Sequence, residues 1–106
     1  MTWARVCAAA DVPQGEARRF EVRGRQVAVV NLGEAGFRAV SAICSHAHAL
    51  LDEGEVDTDL ETIECPKHGS AFDLNTGKPR ALPATLPVDV YDVRIEADDV
   101  LIEVSG

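Results

Sequence analysis

Two short stretches carry the residue types that bind metals. Cys44-Ser45-His46 is followed, after eighteen intervening residues, by Cys65-Pro66-Lys67-His68. Each stretch supplies one thiol and one imidazole. Thiolate and imidazole together are ligands for zinc, for iron and for iron–sulfur centres. A Cys and a His two residues apart can both turn inward from one tight loop. In the second stretch the spacing is three, with Pro66 stiffening the entry and Gly69 freeing the exit. A zinc site built from the same four side chains would be tetrahedral. Zinc fingers, however, usually place both cysteines before both histidines, whereas the order here is Cys-His then Cys-His.

The residues after the second pair narrow the choice. Gly69-Ser70-Ala71-Phe72-Asp73 leads to Thr76-Gly77-Lys78-Pro79, with further prolines at Pro83 and Pro87. This closely resembles the pattern C-x-H … C-P-x-H-G-x-x-F-D … T-G-x-P … P of the Rieske family, in particular its small soluble ferredoxins. The resemblance covers nearly the whole chain. It implies a 2Fe-2S cluster, one per chain, in which two histidines replace two cysteines on one iron. By resemblance, Cys44 and Cys65 hold the inner iron and His46 and His68 the outer one. Ser70 would sit beside a bridging sulfide, and Pro83 would lie in a loop shielding one side of the cluster. His48 has no counterpart in the pattern and is left out of the site.

The elements that must position these loops read as β-structure. Runs at 2–7, 18–22, 26–32, 37–43, 62–64, 71–74, 88–93 and 100–104 are separated by turn signals such as Arg23-Gly24, Gly33-Glu34-Ala35-Gly36 and Asn75-Thr76-Gly77. In the run from Phe37, alternation puts Phe37, Ala39 and Ser41 on one face and Arg38, Val40 and Ala42 on the other. Residues 53–57 read as acidic surface. No helical period of any length and no internal repeat is present. The expectation is an all-β fold, a small antiparallel sandwich or barrel, with a cluster-binding subdomain at one end. We read residues 1–106 as a single domain with a cluster-binding insertion at about 44–83.

Composition bounds the function classes. The chain of 106 residues carries ten basic and eighteen acidic residues, a net charge of −8. That argues against nucleic-acid binding, which needs a basic face, and suits a basic protein partner or plain solubility. No stretch reads as a membrane span or a signal peptide. Three cysteines leave Cys7 outside the pairs, as a small buried apolar residue. Disulfides are therefore not expected, and the cytoplasm is the expected location. Trp3 and Tyr91 read as packing residues.

The family resemblance implies a soluble one-electron carrier, not itself an enzyme. It would act as a monomer, taking electrons from a flavin reductase and delivering them to the terminal oxygenase of an aromatic-ring dioxygenase system. The small subunit of an assimilatory nitrite reductase is the alternative, and a Cys2His2 zinc module a more remote one. Respiratory relatives carry an extra cysteine in each ligand loop, joined as a disulfide, and a tyrosine that hydrogen-bonds near the cluster. The matching positions here are Ala49, Lys67 and Phe72.

Donors to the cluster sulfurs stabilise the reduced state and raise the potential. With Ser70 as the one retained donor, the potential is expected near the low end of the Rieske range of about −150 to +300 mV. Ser70→Ala should lower it by tens of millivolts, against about 59 mV per tenfold for one electron. Voltammetry of both proteins measures this; a wild-type value near the top of the range would remove the ferredoxin reading.

Overall fold

The computed structural model describes residues 2–45, 49–67, 69–80 and 86–104. Among the described residues ten strands run in order: β1 (Thr2–Ala8), β2 (Ala17–Val22), β3 (Arg25–Asn31), β4 (Phe37–Ser41), β5 (Val56–Asp57), β6 (Thr62–Glu64), β7 (Ala71–Asp73), β8 (Val90–Tyr91), β9 (Val93–Glu96) and β10 (Asp99–Val104). They form three antiparallel sheets, ordered β1-β10-β9, β2-β3-β4-β8 and β5-β6-β7. The helical elements among the described residues are short 3-10 turns. The fold is all-β, as the sequence implies.

The central sheet is covered on both faces, which explains why β3 reads as a continuous apolar run. Val27 and Val29 join Ala39, Val100, Ile102 and Val104 in a core beneath the β1-β10-β9 sheet. Ala28 and Val30 face the other way, with Val40 and Ala42, into a second core. There they meet Leu51, Ile63, Phe72 and Leu74 from the β5-β6-β7 side. The period of two in β4 therefore sorts its residues between two cores, as its alternation suggests. Cys7 lies in the first core, and burial holds its thiol above the ordinary value, the Asp11 carboxylate adding to the effect.

Turn chemistry sets the registers. Arg23 and Gly24 both have positive φ (52° and 80°), as do Ala97 and Asp98 (48° and 70°). Two successive residues with positive φ make the hairpin turn whose twist matches the strands it joins. Trp3 packs under the Arg94 guanidinium, 4.4 Å from its ring centroid, and Tyr91 packs against the first core.

Three details depart from the sequence reading. Strand β5 forms within the stretch read as acidic surface, where Val56 and Asp57 pair with Ile63 and Thr62. The run at 88–93 is two strands in different sheets: β8 pairs with β4, and after Asp92 the chain changes sheets so that β9 pairs with β10. The run at 37–43 ends as a strand at Ser41, and Ile43 makes an isolated bridge to Leu50.

Ile102 is fully buried in the first core and Ile95 is 45% exposed at the edge strand β9. Ile102→Ala should destabilise the fold by about 2–5 kcal/mol, the usual cost of such a cavity. Ile95→Ala should stay within about 0.5 kcal/mol of wild type. Urea unfolding of the two variants reads the contrast directly.

Candidate metal centre

Each cysteine closes a turn with its own backbone N–H. The Cys44 N–H donates to the Ala49 carbonyl at 3.0 Å, and the Cys65 N–H donates to the Ser70 carbonyl at 2.6 Å. Residues 44–49 and 65–70 are thus closed over equal lengths. The first turn is flanked by the Ile43–Leu50 bridge, the second by the Glu64–Ala71 pair of β6 and β7. In the second turn the Gly69 N–H also returns to the Cys65 carbonyl at 3.1 Å, and Gly69 adopts φ +76°, a conformation natural to glycine.

The two thiols are buried and belong to one apolar cluster with Leu51, Ile63, Phe72 and Leu74. Neither takes part in a disulfide. Ser70 is fully buried at the end of the second turn. Phe72, at the position of the tyrosine in respiratory relatives, is fully buried, while Lys67 is exposed and Ala49 packs against the cluster. His46, His48, His68 and Pro83 lie outside the described residues.

Neighbouring segments brace the two turns. The Ser45 hydroxyl donates to the Leu86 carbonyl at 2.6 Å, joining the first turn to the chain just before Pro87. Gly54 lies directly against the strand that enters the second turn. A Cβ there would stand 1.6 Å from the Glu64 carbonyl oxygen, so no other residue fits without displacing β6. Neither contact had a signal in the sequence: each pairs residues distant in the chain through a backbone atom. Past β7, Asp73 organises the next turn. Its carboxylate accepts from the backbone N–H groups of Asn75 (2.7 Å) and Thr76 (3.1 Å) and from Arg80 (3.0 Å). Burial alone would raise this carboxyl, but those three donors outweigh it and hold it below its ordinary value.

A buried pair of thiols in closed turns, surrounded by apolar side chains, suits a soft metal centre. The donor set fits an iron–sulfur group. The family model for the Rieske 2Fe-2S domain matches residues 2–92. The chain belongs to the Rieske family. Its cofactor is accordingly a Rieske 2Fe-2S cluster.

Among its Rieske relatives is the 3-phenylpropionate/cinnamic acid dioxygenase ferredoxin subunit of Escherichia coli K12. That protein is 42% identical over 97 residues, covering 92% of this chain and 89% of the relative. The ferredoxin of carbazole 1,9a-dioxygenase from Nocardioides aromaticivorans IC177 superposes with a TM-score of 0.90. It is 39% identical over 96% of this chain and 97% of its own. A ferredoxin solved in complex with the oxygenase of carbazole 1,9a-dioxygenase superposes at 0.85, 40% identical over 94% and 91%. A nitrite reductase small subunit from Mycobacterium tuberculosis, TM-score 0.84, is only 23% identical over 99% and 97% of the two chains, a likeness of fold alone. Like its ferredoxin relatives, this Rieske protein is an electron-transfer component and not itself an enzyme.

Asp73 gives an acid-limb test of this end of the fold. A carboxyl held below its unfolded value contributes stability above that unfolded value, about pH 3.9, and loses it as pH falls through the folded value. Asp73→Asn should be less stable at pH 7 by about 1–3 kcal/mol, the range for charged hydrogen bonds. The gap between variant and wild type should narrow below about pH 4. Urea midpoints at pH 7 and pH 3 measure it, and an unchanged gap would show that the charge of Asp73 contributes nothing.

Proposed function

We propose that this chain is the ferredoxin of an aromatic-ring dioxygenase system, taking single electrons from a flavin reductase and passing them to a terminal oxygenase. The observation that carries the reading is the pair of buried cysteines opening two equal turns, within a chain that matches dioxygenase ferredoxins over nearly its full length. In this reading Cys44, His46, Cys65 and His68 are the four ligands. The cysteines hold the inner iron from the apolar side and the histidines hold the outer iron. Ser70 and Pro83 support the cluster from beside it. When bound, the cluster supplies a one-electron couple.

The protein's own part is to hold the ligands rigid, exclude water from the thiol side and present a face to partners. Residues 44–83 act as the cluster-binding insertion of a single domain spanning 1–106. No described helix is long and apolar enough to cross a membrane, and the three cysteines form no disulfide. We place the protein in the cytoplasm as a monomer with transient partners. Ile43 and Leu86, both more than half exposed, flank the first turn and its Ser45–Leu86 tie. They give the partner-facing end an apolar element.

Two measurements test the reading. Cys44→Ala, His46→Ala, Cys65→Ala and His68→Ala should each abolish the Rieske absorption and EPR signals; a full-strength spectrum in Cys44→Ala would disprove the ligand assignment. Reduction of the purified protein by candidate flavin reductases should slow as added salt cuts the Debye length from about 10 Å to about 3 Å. A salt-independent rate would leave the acidity as solubility alone.

A further inference from the structure

We propose that Arg38, Glu61 and Asn75 form a polar latch that fixes the two cysteine-bearing turns relative to each other, with Arg38 as a positioning residue for the cluster. The proposal rests on the reading of Cys44 and Cys65 as ligands.

The latch joins three segments. Arg38 Nε donates to Asn75 Oδ1 at 2.8 Å, and Arg38 Nη2 donates to Glu61 Oε1 at 3.3 Å. Asn75 Nδ2 donates to the same Glu61 oxygen at 3.0 Å, closing a three-membered network. Arg38 Nη1 donates to the carbonyls of Ala35 and Phe37, at 2.9 and 3.0 Å, so the guanidinium is anchored at its own strand before it reaches across. The Glu61 backbone is held as well. Its carbonyl accepts from the Leu74 N–H at 2.9 Å, and its φ of +55° is a conformation a glutamate seldom adopts. Both charged side chains are about two-thirds buried or more, with 27% and 32% exposed. Screening is weaker there than for a surface pair, and the shared acceptor ties three side chains into one geometry.

The placement of this network gives it a consequence at the metal. Arg38, Val40, Ala42 and Cys44 fall at alternate positions of one segment, and Glu61, Ile63 and Cys65 at alternate positions of another. Ser70, Phe72 and Leu74 make a third row. In each row the middle residues are apolar and buried in the shared core, and the cluster end carries Cys44, Cys65 or Ser70. The opposite end carries Arg38, Glu61 or, one residue past Leu74, Asn75. The β6–β7 ladder fixes the second and third rows to each other, but apolar contact is non-directional and leaves the β4 row free to slide or tilt against them. The latch supplies direction. Only three residues of β6 separate Glu61 from Cys65, roughly 13 Å of extended chain. A displacement at Glu61 is therefore transmitted to the second turn, while Arg38 ties it to the strand that runs into the first.

The test uses the full-length, cluster-loaded protein with Arg38→Ala, Glu61→Ala, the double variant and Glu61→Gln. Cluster loss to a ferrous-iron chelator is followed by visible absorbance, alongside the EPR g-values and the reduction potential. Each single alanine variant should lose its cluster about tenfold faster, equivalent to about 1.4 kcal/mol. The double variant should be no faster than the faster single, because one network has been broken twice. The g-values should shift in both alanine variants. Glu61→Gln, which keeps the accepting oxygen, should recover most of the wild-type behaviour. A merely structural role would lower the melting temperature while leaving the g-values, the potential and the chelation rate at wild-type values, and that result overturns the proposal. Should Arg38→Ala fail to take up iron, Asn75→Ala removes one corner and leaves the ion pair; an unmoved spectrum and loss rate there also overturns it. A wild-type protein lacking Rieske signals would instead sink the ligand reading.

Discussion

The apolar cluster shared by Cys44 and Cys65 is the constraint on which the rest of the molecule depends. In the proposed ligand set, two loops that are distant in the chain present their thiols to one small group. Twenty residues of chain separate the two cysteines. Leu51, Ile63, Phe72 and Leu74 fill the space between that stretch and the central sheet, all of them fully buried. Burial of such side chains contributes about 1.5–3 kcal/mol each, so the cluster holds the loops together before any metal binds. Because the thiols are part of the same packing, both cysteines sit within a core and not at the tip of free loops. Metal binding then adds to folding stability on top of a framework already in place.

That framework explains an unusual feature of the central sheet. An antiparallel sheet commonly leaves one face to water. Here β3 and β4 are buried on both sides, because the β1-β10-β9 sheet covers one face and the cluster-bearing sheet the other. The central sheet therefore relays the position of one layer to the other. A sandwich without the β5-β6-β7 sheet would expose Ala28, Val30, Val40 and Ala42 as an apolar stripe. The short strands of the outer sheet, two or three residues each, are too short to stand alone. They persist because this stripe needs covering, and because backbone bonds such as Leu74 N–H to Glu61 carbonyl and Glu64 N–H to Glu55 carbonyl (2.8 Å) stitch them together.

The β-class was legible in the sequence because it rests on short-range information, and so were the two motifs on which the ligand proposal rests. Cys44, His46, Cys65 and His68 stand in two compact motifs, and Gly/Pro turns separate the runs. The boundaries were less legible where a strand owes its existence to a partner. Val56 is a single β-former among acidic neighbours, too little for a strand signal; Val56 and Asp57 become β5 by pairing with Ile63 and Thr62. The run from Val88 to Val93 alternates well enough to read as one strand, yet Asp92 is where the chain leaves one sheet for another. That choice is made by β4 and β10, which lie elsewhere in the chain. The role of Arg38 was similarly invisible: the alternation put it on the face of Val40 and Ala42, but only the fold shows Glu61 and Asn75 waiting there.

Charge is distributed as unevenly as packing. Residues 52–64 contain seven of the eighteen acidic side chains and none of the ten basic ones, so this segment carries −7 of the net −8. Elsewhere the signs are mixed and often paired, as in Arg5 with Asp99 at 3.1 Å and Arg94 with Glu96 at 2.6 Å. The segment includes β5 and β6 and ends one residue before Cys65. With Cys65 as the proposed ligand, the negative charge that a bound cluster would gain on reduction would lie beside a negative segment, which the Coulomb interaction disfavours. Solvent weakens the effect at the exposed carboxylates, and Arg38 offsets it at Glu61. The sign is nonetheless the same as that of Phe72 in place of a hydroxyl donor. Both features would lower the potential of a cluster held there, and a carrier that gives its electron up readily to an acceptor needs that bias.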